Sequence, residues 1–477
     1  MTETDVDGVV ADRLDDYREA LFDLLARPTI STRGEGMDAG ADAVVDFCER
    51  FGFDARRIET SRYPLVYAER PATAATGGDE GAAERPTVVC YGHYDVQPAD
   101  DPAAWETPAF EPTVRDGAIY ARGAGDNKGQ FTCHAFAVDA LSRADALPEV
   151  DVRLLIEGGE ESGSVGLREY LDDDAGTGET AGAPTEIADA DLVYVADGPQ
   201  HRSGRPTLLY GNRGIVTFEL HHETAATDLH SGNFGGPVPN AATELVELLG
   251  TMVADGRPTI DGFHEGIAVG DAERELIEQI PVDEAALREE LGVSRFVGDT
   301  GYYERLLAEP TFTVNGLEAG YQGEGSKTVI PRAATAKCDC RLVPGQEPER
   351  VFEAIEAHVD AHRPEVTVER GTAFPPMQTP VDTPLATPVV DALRAVWGEE
   401  PVELPVMGGS LPAAFFRTAD ALAETPLLVV PYANHDQGNH SPNEHLDLAC
   451  FENGIRTTAA VLRRVAAADA DDDRGVA

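Results

Sequence analysis

Residues 154–164 read LLIEGGEESGS: an apolar run, a glycine pair, then two adjacent carboxylates, Glu160 and Glu161. Two carboxylates side by side at the mouth of a buried strand repel each other, and desolvating either is costly. A bound cation relieves both problems if other residues supply ligands. Such residues stand at the ends of other apolar runs. TVVCYG leads into His93-Tyr94-Asp95, DLVYVA into Asp197, and PLLVVPYA into a loop carrying His435, His440 and His445. AIYARGAGDNKG delivers Asp126 just before a helix start.

Taken singly, each piece has a plainer reading. His-x-Asp after a strand is a capped turn, Asp126-Asn127 an N-cap, Asp197-Gly198 a turn, and a histidine-bearing loop is solvated. The conjunction argues otherwise, because open α/β sheets bind ligands outside the carboxyl ends of their strands. Two histidines and three carboxylates suit a pair of divalent ions that share a bridging carboxylate and keep a position for water. Zinc is the expected metal, and an oxygen-rich set also accepts manganese or cobalt. One of the two glutamates is then spare and placed to act as general base. Asp95, two residues beyond His93, can hydrogen-bond a ligating imidazole and fix its tautomer.

The elements that must position these groups are legible in the hydrophobic pattern. Up to about residue 213, helical segments (GADAVVDFCERFGF, the amphipathic NKGQFTCHAFAVDALSRA) alternate with near-continuous apolar strands (RPTVVCYG, EVDVRLLIEG, ADLVYVADG). That alternation predicts an α/β domain with a mixed, mostly parallel sheet flanked by helices. Gly/Ala/acid-rich stretches at 71–85 and 172–186 read as exposed loops. From 213 the style changes: GIVTFELHHE alternates, a Gly/Pro-rich loop and a helix near Ala241 follow, and a long acidic helical stretch runs to about 309. Strands TFTVNGL and TAKCDCRLV, helix PERVFEAIEAHVDAH and strand EVTVER complete a β-α-β-β-α-β-like α+β domain with an antiparallel sheet. The expected organisation is therefore α/β over 1–212, an inserted α+β domain over 213–376, and α/β again over 377–477, with the last dozen residues fraying.

Charge excludes some partners. The 477 residues carry 37 basic and 86 acidic side chains, a formal net charge of −49, with lysine only at Lys128, Lys327 and Lys337. Such a surface repels nucleic acid and anionic membranes, and no apolar run approaches the roughly 20 residues that span a bilayer. Spread along the whole chain, the acidity reads as halophilic adaptation, surface carboxylates staying hydrated where molar salt screens their repulsion. The acidic, amphipathic N-terminus lacks the basic start of a signal peptide and predicts a surface helix and a cytoplasmic location. Six cysteines without a C-x-x-C pair predict buried free thiols, Cys338 and Cys340 sharing one strand face.

The motifs GHYDVQPA, YARGAGDNKG, IEGGEESGS, DLHSGNFGG, GSKTVIP, RLVPGQ, GGSLP and NHSPNE occur in this order. In them the chain resembles the carnosinase-like dipeptidases of the aminoacylase/carboxypeptidase-G superfamily of dinuclear zinc hydrolases, from about residue 10 to 465. The resemblance implies a catalytic domain with an inserted lid domain that also forms a homodimer. It implies that His93 and Asp197 hold one metal, Glu161 and His440 the other, and Asp126 bridges, with a cis peptide after Asp126. Glu160 becomes the general base and Asp95 the residue that orients His93. His230 would stabilise the oxyanion across the dimer, and Arg341 would pair with the substrate's terminal carboxylate. Thr328 and Ser410 match substrate-contacting positions. On residue type alone, His230 is a polar residue in a Gly-rich turn and Arg341 a surface arginine. Gly158-Gly159 departs from the pattern, and substrate preference stays open.

The reaction expected is amide hydrolysis of a small peptide, a dipeptide first. Rivals are an N-acyl-amino-acid deacylase or desuccinylase with the same metal site, a dinuclear phosphoesterase, for which the ligand-flanking stretches offer few cations, and a non-catalytic binding domain on a decayed hydrolase scaffold. A spare base beside metals argues against the last. The charge carries its own test. Diluting the salt from molar KCl should unfold or inactivate the protein, followed by circular dichroism, and full structure and activity at low salt would refute the halophilic reading.

Overall fold

A computed structural model describes residues 3–72, 85–172 and 186–472, so the stretches expected as loops at 71–85 and 172–186 fall almost wholly outside the described residues. Two compact units share the chain. One comprises Met1–Tyr210, Thr379–Leu404 and Phe415–Ala477, the other Gly211–Gln378 and Pro405–Ala414.

The first unit is built on an eight-stranded sheet in the order 54–58, 65–70, 151–157, 87–93, 192–195, 427–429, 207–209, 402–404. Its four central strands, 151–157 through 427–429, are mutually parallel, and antiparallel pairs lie toward the edges. This is the mixed α/β architecture that the apolar runs predict. All seven residues of Thr87–His93 are buried, as a strand covered on both faces requires. Helix Lys128–Arg143 differs from its amphipathic reading: every residue from Lys128 to Leu141 is buried. Helices Glu3–Leu25 and Leu448–Asp472 pack on it. Its polar residues are tolerated because they find partners inside. Lys128 Nζ donates to the Leu24 and Arg27 carbonyls at 3.0 and 2.8 Å, and Gln130 Nε2 to Gly125 O at 2.7 Å. The C-terminal helix extends to Asp472, and the rest of the stretch expected to fray, 473–477, lies outside the described residues. All six cysteines are buried and free.

The second unit holds a four-stranded antiparallel sheet in the order 311–319, 333–342, 214–223, 367–374. Strand Gly214–Glu223 alternates strictly, burying Val216, Phe218 and Leu220 against residues such as Leu245 and Leu248 of helix Ala241–Met252 and Ile355 of helix Pro348–His362. Cys338 and Cys340 point into this same core. The long helical stretch expected up to 309 is instead a short hairpin, 253–254 with 257–258, and three short helices, Asp271–Gln279, Glu284–Leu291 and Tyr302–Leu307. Glycines explain the breaks: Gly256, Gly262, Gly266, Gly292 and Gly298 all take the left-handed backbone that ends helices and forms turns.

One consequence concerns His134 on the buried helix. Its ring hydrogen-bonds Thr458 Oγ1 through Nδ1 at 3.1 Å and packs edge-on against Tyr194. Burial pushes its imidazole from 6.5 down to about 3. Below pH 6.5 the unfolded chain therefore takes up a proton that the folded chain refuses. This stability is present above the unfolded value and is lost as pH falls toward the folded one, by up to about 1.4 kcal/mol per pH unit. His134→Gln, neutral in both states, should flatten the pH dependence of urea unfolding over that window, and an unchanged slope would show that His134 does not carry it.

Candidate metal centre

The four central parallel strands end on one sheet edge, in the order 151–157, 87–93, 192–195, 427–429. The residues beyond them carry the chemistry. His93 closes its strand, Glu160 and Glu161 open a short 3-10 turn after 151–157, Asp197 follows 192–195, and the loop beyond 427–429 brings His440. Asp126 enters on the turn before helix Lys128–Arg143, across a cis Asp126–Asn127 peptide bond. Asn127 takes the N-cap position without capping. Its Oδ1 accepts from His93 N at 3.3 Å and its Nδ2 donates to Ala196 O at 2.8 Å, tying the turn to two strand ends.

Two triads result: His93, Asp126 and Asp197, and Asp126, Glu161 and His440, each with ligand atoms within 4.8 Å of one another. Asp126 belongs to both through different oxygens. His93 Nε2 lies 3.1 Å from its Oδ1 and 3.9 Å from Asp197 Oδ2. His440 Nε2 lies 3.1 Å from Asp126 Oδ2 and 3.3 Å from Glu161 Oε2. His440 is half-exposed and holds a left-handed φ of 57°, an uncommon conformation for a non-glycine residue that recurs at functional sites. The first triad is buried, whereas the second opens to solvent at His440.

Asp95 ties the halves together. Its backbone carbonyl and its Oδ1 lie 3.1 and 3.3 Å from His93 Nδ1, which leaves Nε2 as that ring's lone-pair nitrogen. The same carboxylate accepts from Glu160 N at 3.2 Å and Glu161 N at 3.0 Å, so one buried side chain orients the first imidazole and seats both glutamates. The sequence predicts the first role and not the second. Gln97 is also new: its Nε2 donates to Glu161 Oε2 at 2.8 Å, a role that a glutamine in an irregular loop gives no sign of.

Negative charge dominates the cluster. Desolvation, then the neighbouring Asp197, Glu161 and Asp126 carboxylates, push Glu160 well above the usual carboxylate range, against the pull of His93. Burial raises Asp197 to about 7. Asp126 moves the other way, because hydrogen bonds from His440 and His93 outweigh its burial. Asp197 Oδ2 is buried with no hydrogen-bond partner. A shared carboxylate facing two separate imidazoles, an orphaned buried carboxylate oxygen and an excess of acids over bases fit a pair of divalent cations. Glu160 belongs to neither triad.

Of the three loop histidines only His440 joins the cluster. His445 stacks on Tyr120 with ring centroids 5.0 Å apart, and His435 is exposed beside Asp436. His230, Thr328, Arg341 and Ser410 all lie in the second unit. The two-stranded ladder in which His230 pairs with Val329 is extended by Ser231 N donating to Thr328 O at 3.0 Å. His230 Nδ1 accepts from Gly232 N at 3.0 Å, so the proton of the neutral ring sits on Nε2. Arg341 Nη1 donates to Ser410 Oγ at 3.0 Å, and its Nε lies 3.6 Å from Asp339 Oδ1. Gly158, in the departure from the family pattern, has no room for a side chain, since a Cβ would sit 2.2 Å from the Tyr94 hydroxyl.

Residues 89–464 match the family described as peptidase family M20/M25/M40. The chain is 28% identical to a Beta-Ala-His dipeptidase of Mus musculus over 455 residues, 93% of this chain and 87% of that protein. It is 31% identical to a Cys-Gly metallodipeptidase of Saccharomyces cerevisiae over 395 residues, 79% of each. Its fold superposes on an M20 family metallo-carboxypeptidase from Sulfolobus solfataricus with a TM-score of 0.81 and 30% identity, covering 94% of this chain and 99% of that one.

The Asp95 arrangement predicts a graded loss of stability. Asp95→Ala removes the acceptor of two backbone N–H groups, at about 1–3 kcal/mol for each donor left unsatisfied. Asp95→Asn keeps one carbonyl oxygen and should lose less. Urea unfolding of chelator-treated protein measures both, and equal stability of the three proteins would contradict the bonding described.

Proposed function

The chain belongs to peptidase family M20/M25/M40, and we propose that it is a dipeptidase, hydrolysing the single peptide bond of small substrates with a free α-carboxylate. One observation carries the proposal: two ligand triads share Asp126, while Glu160, beside them, is a ligand in neither. We assign His93 and Asp197 to one cation, Glu161 and His440 to the other, and Asp126 to both, with zinc the first choice and manganese or cobalt alternatives for this mixed nitrogen and oxygen set. When bound, such a pair polarises the scissile carbonyl and acidifies water beside it.

The protein's own groups then have distinct tasks. Glu160 takes the proton of the attacking water on its carboxylate and passes it to the departing amine nitrogen. Burial strengthens the Glu160 carboxylate as a base for the first transfer, and the proton it gains is then available for the second. Asp95 keeps His93 in the tautomer that presents Nε2. His230, supplied by the second copy of a homodimer, donates its Nε2 proton to the developing oxyanion. Arg341 pairs with the substrate carboxylate, a planar fork suited to it, and Ser410 holds the guanidinium, with Thr328 near the substrate. We place the enzyme in a salt-rich cytoplasm, in keeping with its charge of −49; no helix among the described residues is long and apolar enough to cross a membrane. Two relatives named for dipeptidase activity favour this reading over the deacylases and over a decayed scaffold.

Glu160→Gln should lower turnover by about 10²–10⁴-fold while cation binding persists; unchanged turnover would sink the mechanism. A panel of dipeptides beside N-acetyl and N-succinyl amino acids, in molar KCl with zinc, manganese or cobalt restored to chelator-stripped protein, tests the substrate class. Metal-dependent cleavage of dipeptides is expected, and cleavage of acylated amino acids alone would reassign the enzyme to the deacylases.

A further inference from the structure

Beyond the ligands and Glu160, one buried ion pair touches every segment that carries the histidines and the shared aspartate. Glu444 is fully buried at the end of the loop that bears His440. Its Oε1 accepts three backbone N–H groups, Gly123 at 3.0 Å, Gly125 at 2.9 Å and Asp126 at 2.9 Å. Its Oε2 accepts from Arg122 Nη1 at 2.6 Å. Arg122, 1% exposed, donates from Nη2 to Pro98 O at 3.1 Å, five residues beyond His93. Trp105 covers the guanidinium, 5.2 Å from its ring centroid. The backbone of Glu444 joins in, its carbonyl accepting from Ala121 N at 3.2 Å.

The turn over 121–126 belongs to neither helix nor strand, so it has no ladder to satisfy its own buried N–H groups. A carboxylate that accepts three of them fixes the turn's path, and a charge-assisted bond to Arg122 fixes the carboxylate. The loop after 87–93, the Asp126 turn and the His440 loop thereby meet at one pair of charges. We infer that Glu444 and Arg122 are positioning residues that set the spacing of His93, Asp126 and His440, and through it the affinity for divalent cations. Neither is a ligand or touches substrate. The inference rests on the cation-binding reading above.

The test uses the full-length, chelator-stripped protein in molar KCl with Mn²⁺ as probe. Free Mn²⁺ is followed by electron paramagnetic resonance, and the thermal midpoint is recorded without metal. Glu444→Gln preserves the shape, keeps one oxygen for the N–H groups and turns an amide toward Arg122. Its Mn²⁺ affinity should fall 10- to 100-fold, the range for partners that orient ligands from behind. Arg122→Lys, which keeps the charge but loses the fork, should fall less, and it serves as the measure if Glu444→Gln does not fold. A lowered midpoint with wild-type Mn²⁺ affinity in a folded variant would overturn the inference, leaving an ordinary structural ion pair. Wild-type protein that binds no Mn²⁺ would overturn the cation-binding reading and this inference with it.

Discussion

Buried carboxylates must be compensated, and in this protein the compensation is concentrated on Asp126. One of its oxygens meets His93 and the other His440, so the residue joins a closed, buried triad to one that is open to solvent. Around it, burial and then unpaired negative charge raise Glu160 and Asp197, while the two imidazoles hold Asp126 low. Most of the polar bonding in the region serves to keep these groups where they would otherwise repel. Asp95 seats the glutamates, Asn127 ties the Asp126 turn to two strand ends, and Gln97 braces Glu161. Such an arrangement is unfavourable as a folded core and favourable as a receptor for cations.

The sheet that aims these residues was legible because its strands are short apolar runs, and a run such as TVVCYGH has no solvated reading. Legible too was the clustering at the strand exits, since ligand types followed four of the apolar runs. Periodicity failed where burial is not one-sided. Helix Lys128–Arg143 reads as amphipathic because its polar residues look solvent-facing, yet Lys128 and Gln130 are bonded inside. It failed again between 253 and 309, where acidic residues look helical but glycines with positive φ divide the segment. Three histidines within one irregular loop offer no period at all, and choosing His440 rested on family resemblance. The role of Glu444, the last residue of NHSPNE, was invisible for a different reason: its partners are mostly backbone N–H groups, which every residue but proline possesses.

Arginine supplies nearly all the positive charge, and it is used in forked pairs on the surface, such as Arg257 with Glu309 and Arg394 with Glu400. Each exposed pair contributes little by itself. Their number still leaves a large excess of carboxylates, whose mutual repulsion acts on the whole molecule and on any anionic group that approaches it. The Arg341 guanidinium, held beside Ser410 and Asp339, is a local cationic exception to that field.

The helix Lys128–Arg143 is jacketed by one helix from each end of the chain, Glu3–Leu25 and Leu448–Asp472. The unit that contains it is interrupted by residues 211–378. During synthesis, that intervening segment leaves the ribosome with its four-stranded sheet complete while the buried helix still lacks its C-terminal cover. At that stage one unit's sheet can be formed, whereas the other unit shows an apolar flank and a cluster of acids that still lacks His440. That interval closes when helix Leu448–Asp472 comes to cover the buried helix.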